Sequence, residues 1–216
     1  MAASDSFAPA PGRGQYDRRQ TREQRLLEQK QRLVAATARA FALHAAPSVA
    51  HVIEIAGVGR GTFYEYFDDV ENARVAAVST MQRRMEHALR AAEARSRTPV
   101  ERLRALAAEW FAAAEAEPAG ALVALRAEPS AQRHLSPIGA AFEAALTRSL
   151  GALAVSGVSR VTVEPLRTLA VAAAAESFAR GVAVHSLPTE GAVAKAPFDR
   201  AAAERALVDV AVRLLR

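Results

Sequence analysis

Three residues between positions 47 and 57 constrain this chain most. Pro47 disfavours a helical conformation at Ala46, so the helical pattern before it must stop near Ala45. Ser48 is a good N-cap for a short helix from Val49 to about Ile55, and Gly57 can adopt the positive φ that ends it. A second short helix then runs from about Gly59 or Arg60 to Phe67. Two short helices around a glycine-containing turn make a helix-turn-helix.

The flanks read as helix as well. From Arg18, the residues Leu27, Val34, Ala38 and Phe41 recur at intervals that place them on one stripe of a helix. Arg18, Arg19, Arg22, Arg25, Lys30, Arg32 and Arg39 decorate that helix, opposed only by Glu23 and Glu28. Residues 1–16 mix Pro, Gly, Ser and Ala without an apolar period and read as a flexible tail. Beyond Asp69 a long helix is expected over about 70–96. Thr98-Pro99-Val100-Glu101 is a capping box with Pro at the first helical position, opening a helix with Leu103, Leu106, Ala107, Trp110, Phe111 and Ala114 inward. Pro118 and Pro129 bracket a shorter piece. Ser136-Pro137 opens another helix, with Ile138, Phe142, Leu146, Leu150 and Leu153 inward, and Gly157 breaks it. Pro165 sits in the first turn of a helix reaching about His185, and Asp199 caps the last, with Leu207, Val210, Ala211 and Leu214 on its apolar side. The expectation is an all-α chain of about nine helices: a tail, a helix-turn-helix unit over 17–69, and a larger helical unit over 70–216.

Composition narrows the functional classes. The absence of Cys removes disulfides, thiol catalysis and Cys-based zinc sites, and makes a reducing cytoplasm the simplest setting. The longest purely apolar run, Leu169 to Ala175, is far too short to cross a bilayer, and the first thirty residues lack a signal-peptide core. No membrane partner is expected. There is no G-x-S-x-G, no phosphate-binding glycine loop and no H-E-x-x-H, so no enzyme is expected. The five His are scattered at 44, 51, 87, 134 and 185, which gives a metal or other cofactor no support.

The helix-turn-helix carries the chemistry. Val52, Val58, Phe63 and Phe67 can form a small core, with Phe63 and Phe67 one turn apart. That leaves Arg60, Gly61, Thr62, Tyr64, Glu65 and Tyr66 on the leading end and outer face of the second short helix, the part such a helix presents to the major groove. Gly61 allows the backbone to approach DNA closely. Thr62 can bond phosphate or touch a thymine methyl, Arg60 can reach guanine or phosphate, and Glu65 can accept from a cytosine amino group. Ser48, Ala50 and His51 face the flanking phosphates, and Arg22 belongs to the basic first helix that positions the backbone.

The string Ala56-Gly57-Val58-Gly59-Arg60-Gly61-Thr62-Phe63-Tyr64-Glu65-Tyr66-Phe67, behind a basic first helix, resembles the DNA-binding domain of the TetR (tetracycline-repressor) family over about 50 residues. The resemblance implies that Tyr64 bonds phosphate through its hydroxyl and that Tyr66 contacts backbone or base. It also implies a homodimer on double-stranded operator DNA, released by a small-molecule effector of unknown identity. The dimer interface would lie on the last two helices, with Ala170, Ala173, Ala174, Ser177 and Gly181 as a small-residue face on the first and Leu207, Val210 and Leu214 as candidates on the second. The larger unit would enclose a ligand cavity, for which Met81, Met85, Trp110, Phe111, Phe142 and Phe178 are the large side chains at hand. His134, with Arg126 and Arg133, could meet an acidic group of the ligand.

Several positions differ from the family pattern. Val70 stands where a Lys is usual, the loop Ala45-Ala46-Pro47 is about two residues short and lacks the usual Gly, and Ile53 replaces a small residue, which predicts that the two helices are pushed apart or repacked. Residues 1–72 hold nine Lys or Arg and nine Asp or Glu, so all of the +5 net charge lies beyond them. These features motivate an alternative: a helical homodimer that binds a small molecule or protein through its larger unit, with a helix-turn-helix that grips DNA weakly.

Overall fold

The structure, a computed structural model, describes residues 21–96, 98–128, 135–155, 165–187 and 199–214. Expectations at residues 1–16, Arg18, Arg19, Pro129, Arg133, His134 and Gly157, and for the side chain of Leu153, lie outside the described residues. Among these residues every regular element is a helix: α1 Arg22–Leu43, α2 Val49–Ala56, α3 Arg60–Tyr64, α4 Val70–Arg95, α5 Pro99–Ala116, α6 Pro118–Arg126, α7 Pro137–Val155, α8 Pro165–Ser186 and α9 Arg200–Leu214.

The helix starts are set by side chains that satisfy free backbone N–H groups. At α1, Thr21 and Gln24 form a reciprocal capping box: Thr21 N–H donates to Gln24 Oε1 at 2.9 Å and Gln24 N–H to Thr21 Oγ1 at 3.2 Å. That box starts α1 at Arg22. Thr98 and Glu101 do the same for α5. Asp69 Oδ1 accepts from Asn72 N–H at 2.7 Å to open α4, and Asp199 Oδ1 from Ala202 N–H at 3.0 Å to open α9.

α1 corrects the single-stripe expectation. Leu27, placed inward by periodicity, is 57% exposed. Instead the helix buries two faces. Leu33, Ala36 and Ala40 enter a small apolar cluster with Val52, Ala56, Phe63, Phe67 and Ala73. Ala38, with Phe41 beside it, enters a larger cluster built on α4 to α9, and Val34 touches both. A helix packed from two sides shows a wide buried arc, so the narrow stripe in the sequence marks only part of it. Thr37 lies within that arc and donates its hydroxyl to Leu33 O at 2.8 Å, which removes the cost of burying it. α4 spans the two clusters as well, contributing Ala73 to the small one and Ala77, Met81, Met85 and Leu89 to the large one.

The large cluster closes where α7 meets α8. Glu176 on α8 reaches the start of α7 and accepts from Ser136 N–H at 2.8 Å and from the Ser136 hydroxyl. Ser136 Oγ in turn accepts from Gly139 N–H at 3.1 Å. Gly139 is required here by space: a Cβ would lie 1.9 Å from Glu176 Oε1 and 2.5 Å from Cδ. Gly139→Ala must therefore displace the carboxylate from the α7 cap. A loss of about 1–3 kcal/mol in thermal or urea unfolding is expected, the cost of stripping a hydrogen-bonded buried group of its partners.

Candidate nucleic-acid interface

The helix-turn-helix is built as its residue types require. Gly57 closes α2 at φ 64°, ψ 38°, the left-handed conformation that a side chain would disfavour. Gly57 N–H bonds Glu54 O at 3.3 Å and Val58 N–H bonds Ile53 O at 3.2 Å, which turns the chain into α3. Val52, Phe63 and Phe67 are buried beneath, with the two phenylalanine rings 5.7 Å apart, and Val58 packs at their edge. Ile53 is accommodated half-buried against the same cluster. α3 is shorter than expected. Glu65 and Tyr66 form a turn, because Tyr66 N–H bonds Phe63 O at 3.1 Å and tightens the last turn.

With Phe63 and Phe67 inward, α3 presents Arg60, Gly61, Tyr64 and Glu65 to solvent, while Thr62 is half-buried. Tyr64 is 48% exposed and its ring packs edge-on against Phe63 at 5.4 Å, which holds the hydroxyl outward. Arg60 lies over the Tyr64 ring, 5.8 Å from its centre, and its Nη2 is 3.4 Å from the hydroxyl. The pair puts a cation and a phenol on one outer edge. A Cβ added to Gly61 would meet nothing within 4 Å, so this glycine is free of packing demands from its own chain.

Tyr66 departs from the expected contact with DNA. Its ring is half-buried, and its hydroxyl donates to Gln29 Oε1 on α1 at 3.1 Å. Burial, and then the adjacent Glu65 carboxylate, pushes the hydroxyl above the ordinary phenol range. Tyr66 thus ties α3 to α1. Sequence reasoning does not find Gln29, because a lone Gln among charged helix residues carries no signal.

On α2, Ser48 and Ala50 are exposed at the leading end. Ser48 N–H donates to His51 Nδ1 at 3.2 Å, which fixes that nitrogen as an acceptor. The His51 ring also stacks on His44, 4.2 Å away and nearly parallel. The stack spans the short loop between α1 and α2 and explains how the chain tolerates it. Arg22 is exposed in the first turn of α1. Two of the acids near α3 have structural partners within the chain: Asp69 caps α4, and Glu71 accepts Arg74 Nε at 2.8 Å. That hydrogen bond holds the Glu71 carboxyl below its ordinary range.

No family model matches the chain, and no curated protein does. Solved structures do. A TetR-like transcriptional regulator from Rhodococcus sp. RHA1 superposes with a TM-score of 0.65 over 90% of this chain and 97% of that one, at 17% identity. The transcriptional regulator FadR from Bacillus subtilis, solved with stearoyl-CoA, gives 0.65 over 86% and 99% at 16% identity. The TetR-family regulator PfmR from Thermus thermophilus gives 0.64 over 86% and 99% at 19% identity. This chain has the TetR fold.

Within the TetR fold, the residues expected to form the ligand wall are mostly buried. Met81, Met85, Trp110, Phe111 and Phe142 are buried, and Phe178 packs half-buried against them. Trp110 donates its indole N–H to Ala175 O on α8 at 3.0 Å and tilts against Phe142 at 5.0 Å. Its polar atom is therefore satisfied by the chain itself. Of the six, Met81 lines a described pocket. A wider groove of about 740 Å³ opens between α5 and α9, bordered by Val100, Arg104, Ala108, Val208 and Val212.

The TetR fold also leaves a small-residue face on α8. Ala170, Ala173 and Ser177 are exposed, Ala174 and Gly181 half-buried, and Leu166 on the same side is 77% exposed. On α9, Val210 is half-buried and Leu214 is 37% exposed. Leu207 is the exception to the expected interface: at 1% exposure it belongs to the chain's own core, because α9 packs that edge on α5 and α8. Among the described residues no helix is long and apolar enough to cross a membrane, and no group of His, Cys, Asp or Glu is arranged to hold a metal ion.

Proposed function

We propose that the chain is a homodimeric, ligand-responsive DNA-binding regulator of transcription, a cytoplasmic repressor released from its operator by a small molecule. The observation that carries this reading is α3: a rod whose aromatic face is locked inward while Arg60, Gly61, Tyr64 and Glu65 are held outward in a TetR fold. One such unit grips too little DNA for specificity, so two must act on half-sites about one helical turn apart. The exposed side of α8, from Leu166 through Ala170, Ala173 and Ser177, with Val210 and Leu214 of α9, supports a close helix-to-helix contact between two copies. The stearoyl-CoA held by the Bacillus subtilis regulator of the same fold supports control by a small molecule. Not being an enzyme is part of the same reading.

The test is an anisotropy titration against the promoter region beside the chain's own gene. Wild type is expected to bind saturably, as a dimer, with affinity falling steeply as salt rises. Tyr64→Ala and Thr62→Ala are expected to remove specific binding while sedimentation shows an intact dimer. Unchanged binding by both variants would sink the assignment of α3. An effector obeys reciprocity: operator DNA must weaken effector binding by the factor with which the effector weakens DNA binding.

A further inference from the structure

Helices α1, α4 and α6 leave a pocket of about 300 Å³ where they meet. Its floor is apolar, made by Val34 and Ala38 of α1 with Ala77 and Met81 of α4, and the exposed Leu27 stands at its mouth. Gly120 of α6 keeps one wall low; a Cβ there would stand 3.5 Å from Met81 Sδ. The rim is cationic. Lys30 comes from α1, and Arg83 and Arg84 from α4. Glu117, the acid at this rim, is ion-paired with Arg84, so it does not neutralise the other two. Arg83 donates to Thr80 Oγ1 at 3.3 Å, a neutral partner, and among the described residues Lys30 has no ion-pair partner.

A hydrocarbon floor under two uncompensated cations excludes a cationic ligand and leaves a neutral one without partners for the rim. An amphipathic anion satisfies both parts. The volume of about 300 Å³ sits at the low end of ligand sites, which run from about 300 to 1,000 Å³, and so suits a medium-chain or single-ring acid. We propose that this pocket binds a small amphipathic carboxylate, with its apolar part on Leu27, Val34 and Met81 and its head between Lys30 and Arg83.

The position gives such a ligand leverage. α1 carries Leu33, Ala36 and Ala40 into the cluster under α3, and α4 carries Ala73 there. A molecule wedged between α1 and α4 touches both helices that join the two apolar clusters, and it favours whichever setting of the pair accommodates it. That regulatory consequence rests on the DNA-binding reading; occupancy of the pocket does not.

The experiment is calorimetric titration of the full chain with decanoate, without DNA, followed by operator titration with and without decanoate. Wild type is expected to bind decanoate saturably, one per chain, and decylamine not at all. Removing both rim cations with Lys30→Ala and Arg83→Ala is expected to weaken decanoate by at least about tenfold, the worth of one charge-assisted contact. Gly120→Leu fills the pocket and is expected to abolish binding. If that variant melts early by circular dichroism, Ala35→Phe, placed at the exposed mouth, closes the pocket without touching the core. Absence of saturable decanoate binding by wild type overturns the proposal, as does equal binding by the charge and pocket-filling variants. Decanoate binding that behaves as expected in a chain that grips no DNA upholds the pocket and overturns the regulator reading.

Discussion

Trp110→Ala is expected to destabilise the chain by about 3–5 kcal/mol, the range for emptying a large aromatic from a close-packed core. Trp110 has 0% exposure, packs on Phe142 and spends its N–H on Ala175 O. For a chain of this size each kcal/mol lowers Tm by roughly 2–4 °C, so a thermal scan should show a drop on the order of 6–20 °C. Trp110→Phe keeps part of the ring contact but loses the hydrogen bond and some buried volume, so a smaller loss of about 1–3 kcal/mol is expected. The ordering of the two variants distinguishes a core residue from a ligand wall. A side chain lining a ligand cavity would lose less stability when truncated, because its partner atoms on the cavity side would already be missing. A Trp110→Ala variant that melts with wild type would return Trp110 to the effector site.

The same residue shows what the sequence makes legible and what it does not. Its place on the inner stripe with Leu103, Leu106, Phe111 and Ala114 follows from helical spacing, and all of these are buried. Caps are equally readable, since Thr98, Asp199 and Gly57 act through neighbours three or four residues away. What spacing cannot give is the partner across the core. The Trp110 bond to Ala175 and the Glu176 cap on Ser136 join residues far apart in the chain. Tyr66 illustrates the cost at the candidate site. Spacing places it outward beside Tyr64, but tightening at Glu65 and Tyr66 rotates it toward Gln29. Leu207 departs from the expected interface for a related reason. One helical pattern cannot say which of two neighbours a face will meet, and α1 and α9 each meet more than one.

Gly61→Leu is expected to leave folding intact and to remove operator binding. The stability side follows from the space around it: beyond its chain neighbours and the backbone of its own helix, nothing lies within 4 Å of a Cβ at this position, and the residue lies within α3 with no positive φ. Replacing a helical Gly lowers the backbone entropy lost on folding, so the variant should be equal to wild type or more stable by about 0.5–1 kcal/mol. The DNA side follows from the same openness. If α3 enters the major groove, the empty space beside Gly61 is where a base edge or phosphate comes, and a leucine there holds Arg60, Thr62 and Tyr64 away from their contacts. A good base contact is worth about 1–3 kcal/mol, and a dimer loses it twice, so the affinity falls by about 2–6 kcal/mol, or from about 30-fold to on the order of 10⁴-fold. Gly61→Ala, with a single added methyl, should fall between the two. Thermal unfolding and operator anisotropy measured on the same sample therefore move in opposite directions. A helix-turn-helix that no longer grips DNA predicts the first change with no operator binding by wild type or variant, and a stable Gly61→Leu dimer that binds operator as tightly as wild type would remove this face of α3 from the interface.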